Sequence, residues 1–321
     1  MSTSPLVSVI IPVHDRVAEA RRAAVSVLAQ SYRPIEVVVI DDGSNEDLAG
    51  ALADLLAMHP ADHPSVSMTL RRQHNTGPAG ARNRGIEVSR GPLVAFLDSD
   101  DEWHATKLER QVAFLAQSAN AGFCYCQVRV QRGDHWVVKP SEPQTYDALL
   151  RQQNRIAPSA LLVRRDAIEK SGPFRAGLRV VDDWEFLLRL TAHAWGAFLA
   201  EPLVTMHRAG NNITDDVVAQ QLERAQLYEQ FEREGFPREP RPDLARQGFL
   251  YFSLRAADAM ARAGRWREAR RQYGAVLRQA PAVGIVAGEW DPTRRRRVAR
   301  DLIAPYAKLV RAIWKSRGGS A

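Results

Sequence analysis

Two cysteines, Cys124 and Cys126, are the only ones in 321 residues. So few exclude a disulfide scaffold. Two apart in a strand-like segment, their side chains share a face roughly 6–7 Å apart, too far to bridge easily. Both are expected as buried strand residues in a reducing cytoplasm. No apolar run approaches the about 18–20 residues that span a bilayer. The start Met-Ser-Thr-Ser-Pro has no basic stretch before its short apolar run, so no signal peptide is expected. No Gly-x-Gly-x-x-Gly follows a strand, which argues against a dinucleotide oxidoreductase. The loop at residues 12–16 contains no glycine, which argues against a nucleotidyltransferase with its usual Gly-rich, basic first loop.

What is present is ordinary in bulk and uneven in detail. Hydrophobic residues make up 45% and charged residues 25%, as in a soluble globular chain long enough for one full domain and a smaller one. Residues 1–215 carry a net charge of −2 and residues 216–321 one of +9. The basic C-terminal part therefore suits an anionic partner, either a membrane surface or nucleic acid.

The first hundred residues alternate strand and helix signals. Residues 7–13, 36–40, 66–71 and 93–97 are β-rich, and the continuous apolar runs among them fit strands buried on both faces. Residues 18–30, 48–58 and 82–89 have helical spacing, and a further helix is expected over 107–117. The βαβαβαβ order implies a parallel sheet with crossover helices, which binds ligands at the C-terminal ends of its strands.

Chemistry-bearing residues gather at those ends. Asp98-Ser99-Asp100-Asp101 brings three carboxylates into four residues. Their repulsion calls for a compensating cation, and Mn²⁺ or Mg²⁺ takes oxygen ligands shared between carboxylates and substrate phosphates. Pro12-Val13-His14-Asp15-Arg16 offers a ring for stacking and charges for orientation. In Asp41-Asp42-Gly43-Ser44 a carboxylate can accept a hydrogen bond from N3–H of uracil or thymine, or can serve as a turn residue before Gly43. Residues 75–85 combine glycines, a helix start and Arg82, a setting that favours an anion. The four loops together fit a nucleotide diphosphate.

These segments resemble glycosyltransferase family 2, the inverting enzymes with a GT-A fold. The likeness covers about residues 5–215. It rests on Val7-Ser8-Val9-Ile10-Ile11-Pro12-Val13, Val39-Ile40-Asp41-Asp42-Gly43-Ser44, residues 75–85 and Phe96-Leu97-Asp98-Ser99-Asp100-Asp101. Gly172-Pro173-Phe174 and Asp182-Asp183-Trp184-Glu185-Phe186-Leu187-Leu188-Arg189 extend it. The resemblance implies a Rossmann-like, mostly parallel sheet flanked by helices, followed here by an α-helical C-terminal region. It also implies transfer of a sugar from a UDP or dTDP donor to an acceptor hydroxyl, in cell-surface polysaccharide or glycolipid synthesis.

By similarity, Pro12 and His14 flank the base and Asp42 binds uracil or thymine. Arg16, Arg82 and Asp98 belong to the nucleotide side, and Asp100 meets the ribose or the metal. Asp101 coordinates Mn²⁺ or Mg²⁺ between the phosphates, and Asp183 matches the catalytic base. Such a base takes the acceptor's proton while the metal steadies the leaving diphosphate, and attack from the opposite face inverts the anomeric centre. Asp182 stands where the family often has Glu, so two adjacent carboxylates are offered for one proton. His14 stands where Tyr is common. In Met206-His207-Arg208-Ala209-Gly210-Asn211-Asn212, either His207 or Arg208 meets the diphosphate, or the stretch is a solvated loop.

From residue 216 the chain reads as helical. Gly264, Ala269, Tyr273, Val276 and Pro281 have the spacing of half a tetratricopeptide repeat, with a hairpin expected near 245–281. One such unit cannot bury its own face, so it is expected to pack on the transferase domain. Arg294-Arg295-Arg296-Arg297 leads into residues 298–315, where apolar residues alternate with cations around Pro305. That segment suits either an anionic membrane, and so a lipid-linked acceptor, or packing on the domain with a basic face to solvent. No nucleic-acid module accompanies it, so no nucleic acid is expected as a partner. The expected location is the cytoplasm, peripheral to the inner face of the cell membrane. A catalytically inactive GT-A adaptor that binds partners through its helical tail is the alternative.

Overall fold

The structure is a computed structural model and describes residues 4–57, 65–132, 135–140, 142–150, 156–207 and 216–278. The chain divides into two compact units, residues 1–210 and 211–321.

The first unit opens with strand β1 (Val7–Val13), helix α1 (Val17–Leu28) and strand β2 (Ile35–Asp41). Two single turns, α2 (Leu48–Ala51) and α3 (Ala53–Leu56), replace the one helix expected over 48–58. The break falls at Leu52, and residue 58 lies outside the described residues. Strand β3 (Val66–Arg72), helix α4 (Gly77–Val88) and strand β4 (Leu93–Phe96) complete the parallel part. β2 is buried along its whole length and β1 at all but one position, as continuous apolar runs require.

The sheet then continues with short β5 (Asp101–Trp103), helix α5 (Lys107–Gln117), long β6 (Ala121–Arg132) and β7 (His135–Lys139). A helical turn α6 (Tyr146–Leu150) and a 3₁₀ turn (Pro158–Ala160) precede β8 (Leu161–Arg164). Helices α7 (Arg165–Ser171) and α8 (Asp182–His193) and strand β9 (Trp195–Met206) close the unit. The strand order is β3-β2-β1-β4-β8-β6-β9-β5, with β7 paired to β6. β3, β2, β1 and β4 are mutually parallel, whereas β8 runs antiparallel to both β4 and β6. β5 pairs antiparallel with β9, so that Asp101 sits opposite Met206.

One face of the sheet packs its aliphatic side chains, Val9, Ile11 and Ala95 among them, with Ala20, Ala24, Val27, Leu108 and Leu115 of α1 and α5. Phe96 of β4 belongs to a ring cluster with the loop before α8 and with α8 itself. Phe174 stacks on Phe186 at 4.1 Å between centroids, and Phe96 meets Phe174 edge-on at 5.3 Å. Such aromatic packing fixes α8 against the sheet. Cys124 and Cys126 are both buried and free on β6, as expected. Cys124 and Cys126 belong to the same face as α5, which begins and ends where its spacing predicts.

The helix expected over 82–89 instead begins at Gly77. Its first turn has no side-chain cap of its own; the cap comes from Asp42, on the loop after β2.

The second unit contains α9 (Val217–Glu234), α10 (Pro242–Arg262) and α11 (Trp266–Arg278). The hairpin near 245–281 is present as α10 and α11, joined through Gly264 at φ 75°. Ala269, Tyr273 and Val276 are buried, and the Tyr273 hydroxyl bonds Asp258. Pro281, the arginine run and residues 298–315 lie outside the described residues. Among the described residues no helix is long and apolar enough to cross a membrane.

Candidate active site

Because β1, β2, β3 and β4 are parallel, the loops that follow them open at one end of the sheet. The loop after β1 is tightly set. Asp15 and Arg16 both adopt left-handed backbone angles, φ 55° and 57°. That conformation is costly for residues with a Cβ. It is held by the neighbouring loop: the Asp15 carboxylate accepts from Asn45 N at 2.6 Å, and Asp15 N donates to Ser44 Oγ at 2.9 Å. The turn directs Arg16 to Asp100, with Nη1 and Oδ2 3.0 Å apart. His14 is exposed, with Nδ1 3.1 Å from the Asp42 carbonyl and Nε2 3.3 Å from Asn75 Nδ2. Pro12 is half-buried one residue before the end of β1.

Asp42 is 3% exposed. Its Oδ1 accepts from Thr76 N and Gln73 Nε2, each at 2.8 Å, and its Oδ2 accepts from Gly77 N at 2.8 Å. The carboxylate thus caps α4 and suits the helix dipole. Among these contacts Oδ2 accepts a single hydrogen bond, from Gly77 N, which leaves it a second lone pair.

The acidic turn is a compact unit. Asp101 N donates to the Asp98 carbonyl at 3.0 Å, which folds Asp98-Ser99-Asp100-Asp101 back on itself. Asp101 is 2% exposed, and its Oδ2 accepts from Ser159 Oγ at 2.5 Å. The same hydroxyl oxygen accepts from Asp98 N at 3.1 Å. Burial, then the Asp98 charge, pushes Asp101 well above the usual carboxylate range. Asp100 moves up for the same two reasons, opposed by Arg16. Among the described residues no three His, Cys, Asp or Glu side chains converge as a complete metal set. Asp100 and Asp101 offer two neighbouring carboxylates, and Mg²⁺-like ions commonly share one or two carboxylates with substrate oxygens.

Arg82 stands between this turn and α8. Nη2 donates to Asp98 Oδ1 at 2.6 Å and Nη1 to Asp182 Oδ2 at 2.5 Å. Its guanidinium, expected on the nucleotide side, bridges two protein carboxylates and lies 5.3 Å from the Phe174 ring centroid. Asn83 pins the same loop, exchanging two 2.8 Å hydrogen bonds with the Phe174 backbone. Arg189 donates to the Ser171, Gly172 and Pro173 carbonyls and to buried Glu185, so it fixes the Gly-Pro-Phe loop.

The adjacent carboxylates Asp182 and Asp183 are thereby placed in different surroundings. Asp182 is buried and engaged by Arg82. Asp183, on the first turn of α8, is partly exposed, and Trp184 N donates to it at 2.6 Å. Burial of its carboxyl group, then the charge of Asp182, pushes it up to about 7. A carboxyl group at that value can hold or release a proton near neutrality. His207 Nε2 lies 3.2 Å from Glu102 Oε2, and Arg208 lies outside the described residues.

Sequence reasoning missed Ser159 and Gln73, which nothing local marks, and gave no role to Asn83 within residues 75–85; each acts on a segment that folding brings to it.

Comparisons with known proteins bear on the family and the fold. The model of Glycosyl transferase family 2 matches residues 8–174. An uncharacterized glycosyltransferase of Haemophilus influenzae is 31% identical over 169 residues, 51% of this chain and 64% of that protein. The UDP-Glc:alpha-D-GlcNAc-diphosphoundecaprenol beta-1,3-glucosyltransferase WfaP of Escherichia coli is 29% identical over 51% of this chain and 62% of its own. The matched stretch thus spans less than two thirds of either relative. Among solved structures, S. aureus TarS 1-349 in complex with UDP-GlcNAc has a TM-score of 0.61 at 16% identity, covering 97% of this chain and 92% of that one. Mannosyltransferase PcManGT from Pyrobaculum calidifontis, in complex with GDP-Man and Mn²⁺, has a TM-score of 0.58 at 19% identity, covering 96% and 88%. At these identities the two structures establish the fold.

Proposed function

The chain belongs to glycosyl transferase family 2, and from that premise we propose that it moves a sugar from a nucleotide diphosphate donor to an acceptor hydroxyl, inverting the anomeric centre. The carrying observation is the pair on α8: Asp182 bound to Arg82, and Asp183 left partly exposed at about 7. A hydroxyl is a poor nucleophile at neutral pH, so a base must take its proton as it attacks. Asp183 accepts that proton as the oxygen–carbon bond forms and the bond from the anomeric carbon to the diphosphate breaks. The electron pair leaves with the nucleotide diphosphate.

His14 and the open lone pair of Asp42 serve the base, with UDP or dTDP favoured, and Pro12 backs that pocket. Arg16 faces the diphosphate side from its strained turn. Asp101 and Asp100 would hold Mn²⁺ or Mg²⁺ with donor phosphate oxygens; when bound, the ion supplies Lewis-acid stabilisation of the leaving group. The named substrates of the relatives, UDP-Glc for WfaP and UDP-GlcNAc in the TarS complex, support a uridine donor. WfaP is named for a lipid-diphosphate acceptor, which supports a glycan or lipid-linked acceptor in cell-surface polysaccharide or glycolipid synthesis. The basic segment at 294–315 would then meet an anionic membrane from the cytoplasmic side.

Thermal shift with UDP, dTDP and GDP, each with and without Mn²⁺ or Mg²⁺, tests this. A ligand at 100 times its dissociation constant adds about 2.7 kcal/mol. Metal-dependent stabilisation by UDP or dTDP, lost in Asp101→Ala, is the expected result. Folded protein that responds to no nucleotide would overturn the proposal and favour the adaptor.

A further inference from the structure

We infer that Ser159 is a positioning residue for the cation site, setting the Asp101 carboxylate so that one of its oxygens is kept for the metal. The inference rests on the family reading above, and no motif that carries that reading includes Ser159.

The hydroxyl does two things at once. It donates to Asp101 Oδ2 at 2.5 Å and accepts from Asp98 N at 3.1 Å. One side chain therefore ties both ends of the acidic turn. Among the described residues Asp101 Oδ1 receives no hydrogen bond, so the carboxylate is half committed and half open. A hydroxyl that fixes one oxygen leaves the other with a defined direction, as outer hydrogen bonds do for metal-bound carboxylates.

Ser159 is itself held firmly. It is wholly buried in the 3₁₀ turn Pro158–Ala160. Trp103 Nε1 donates to its carbonyl at 2.9 Å, and Gln111 Nε2 donates to the Ala160 carbonyl at 2.9 Å. Lys107 Nζ orients the Gln111 amide by donating to its Oε1 at 2.7 Å. Trp103 follows Asp101 on β5, and Lys107 and Gln111 lie on α5. The turn that carries the hydroxyl and the strand that carries the carboxylate are thus cross-braced. Such bracing is what preorganised ligand geometry requires.

The experiment titrates Mn²⁺ into the full chain with saturating UDP and follows free Mn²⁺ by its electron paramagnetic resonance signal. UDP affinity without metal is measured in parallel. Ser159→Ala is expected to weaken Mn²⁺ binding about 10–100-fold, with metal-free UDP affinity unchanged. Ser159→Thr, which keeps the hydroxyl, is expected to restore most of the Mn²⁺ affinity. Ser159→Cys keeps the buried volume and is expected to behave like Ser159→Ala; it carries the test if the alanine variant does not fold. Unaltered Mn²⁺ affinity in folded Ser159→Ala or Ser159→Cys would overturn the inference. Equal loss of Mn²⁺ and metal-free UDP binding would also overturn it, showing Ser159 to be a general support of the fold. Folded wild-type protein that binds UDP but no Mn²⁺ would overturn the metal reading itself and this inference with it.

Discussion

Arg82 Nη1 lies 2.5 Å from Asp182 Oδ2, joining residues one hundred positions apart, with both side chains 6% exposed. The other Nη of Arg82 reaches Asp98, so one guanidinium links the acidic turn after β4 to the first turn of α8. That side chain therefore ties the turn proposed for the leaving-group side to the helix that carries the proposed base.

Replacing Arg82 therefore exposes the cost of the carboxylates it serves. Arg82→Gln leaves Asp98 and Asp182 without their counter-charge, and breaking a buried pair from one side costs about 3–5 kcal/mol. Urea unfolding should show a fall in midpoint of that order. Restoring charge balance with Asp182→Asn in the same chain should recover part of it, because the two sites are in contact.

Asp183 and Asp182 should separate by phenotype. Asp183→Asn is expected to lower kcat about 10²–10⁴-fold while nucleotide stabilisation stays as in wild type. Asp182→Asn removes the partner of Arg82 and should lower the unfolding temperature as well as the rate. Comparable kcat losses in two fully stable variants would contradict this division of labour.

The proton on Asp183 gives a pH signature with a definite sign. Its carboxyl group is raised to about 7, and it must be ionised to accept a proton. Turnover should climb as pH rises through about 7 and level off above it. Stability runs the other way. Between about pH 4 and about pH 7 the native state keeps a proton that the unfolded chain has released, so this group's contribution falls as pH rises. The unfolding temperature of wild type relative to Asp183→Asn should decline across that window and be flat above it.

Asp42 should matter for α4 before any nucleotide is added. Asp42→Ala removes the acceptor of Thr76 N and leaves Gly77 N only its longer 3.2 Å bond to Asn75 Oδ1, and losing such a helix cap costs about 0.5–2 kcal/mol. Hydrogen exchange at those two amides should accelerate, and UDP should bind more weakly.

Gly85 sets how closely α4 approaches the sheet. A Cβ there would stand 2.3 Å from Ile10 Cγ2 on β1. Gly85→Ala should therefore destabilise by about 1–3 kcal/mol, the usual cost of overpacking, measurable as a lower urea midpoint with unchanged slope.

Local elements were readable where their cause is local. β1 and β2 are continuous apolar runs, and α5 shows its helical spacing, so each appears where its residues indicate. α4 was foreseen five residues late, because the carboxylate that caps it belongs to Asp42 and lies 35 residues upstream of Gly77. The single helix expected over 48–58 breaks at Leu52, which its apolar pattern did not register.

The sequence by itself determined the kind of chemistry: oxygen-rich loops at the ends of parallel strands, a base candidate before a helix, and no alternative cofactor fingerprint. Those features depend on residue type and short spacing. The tertiary structure decided which carboxylates are free. It paired Asp182 with Arg82 and left Asp183 partly open, capped α4 with Asp42, and placed Ser159 against Asp101. These assignments depend on burial and on contacts across 35 to 100 residues, and neither exists until the chain has folded.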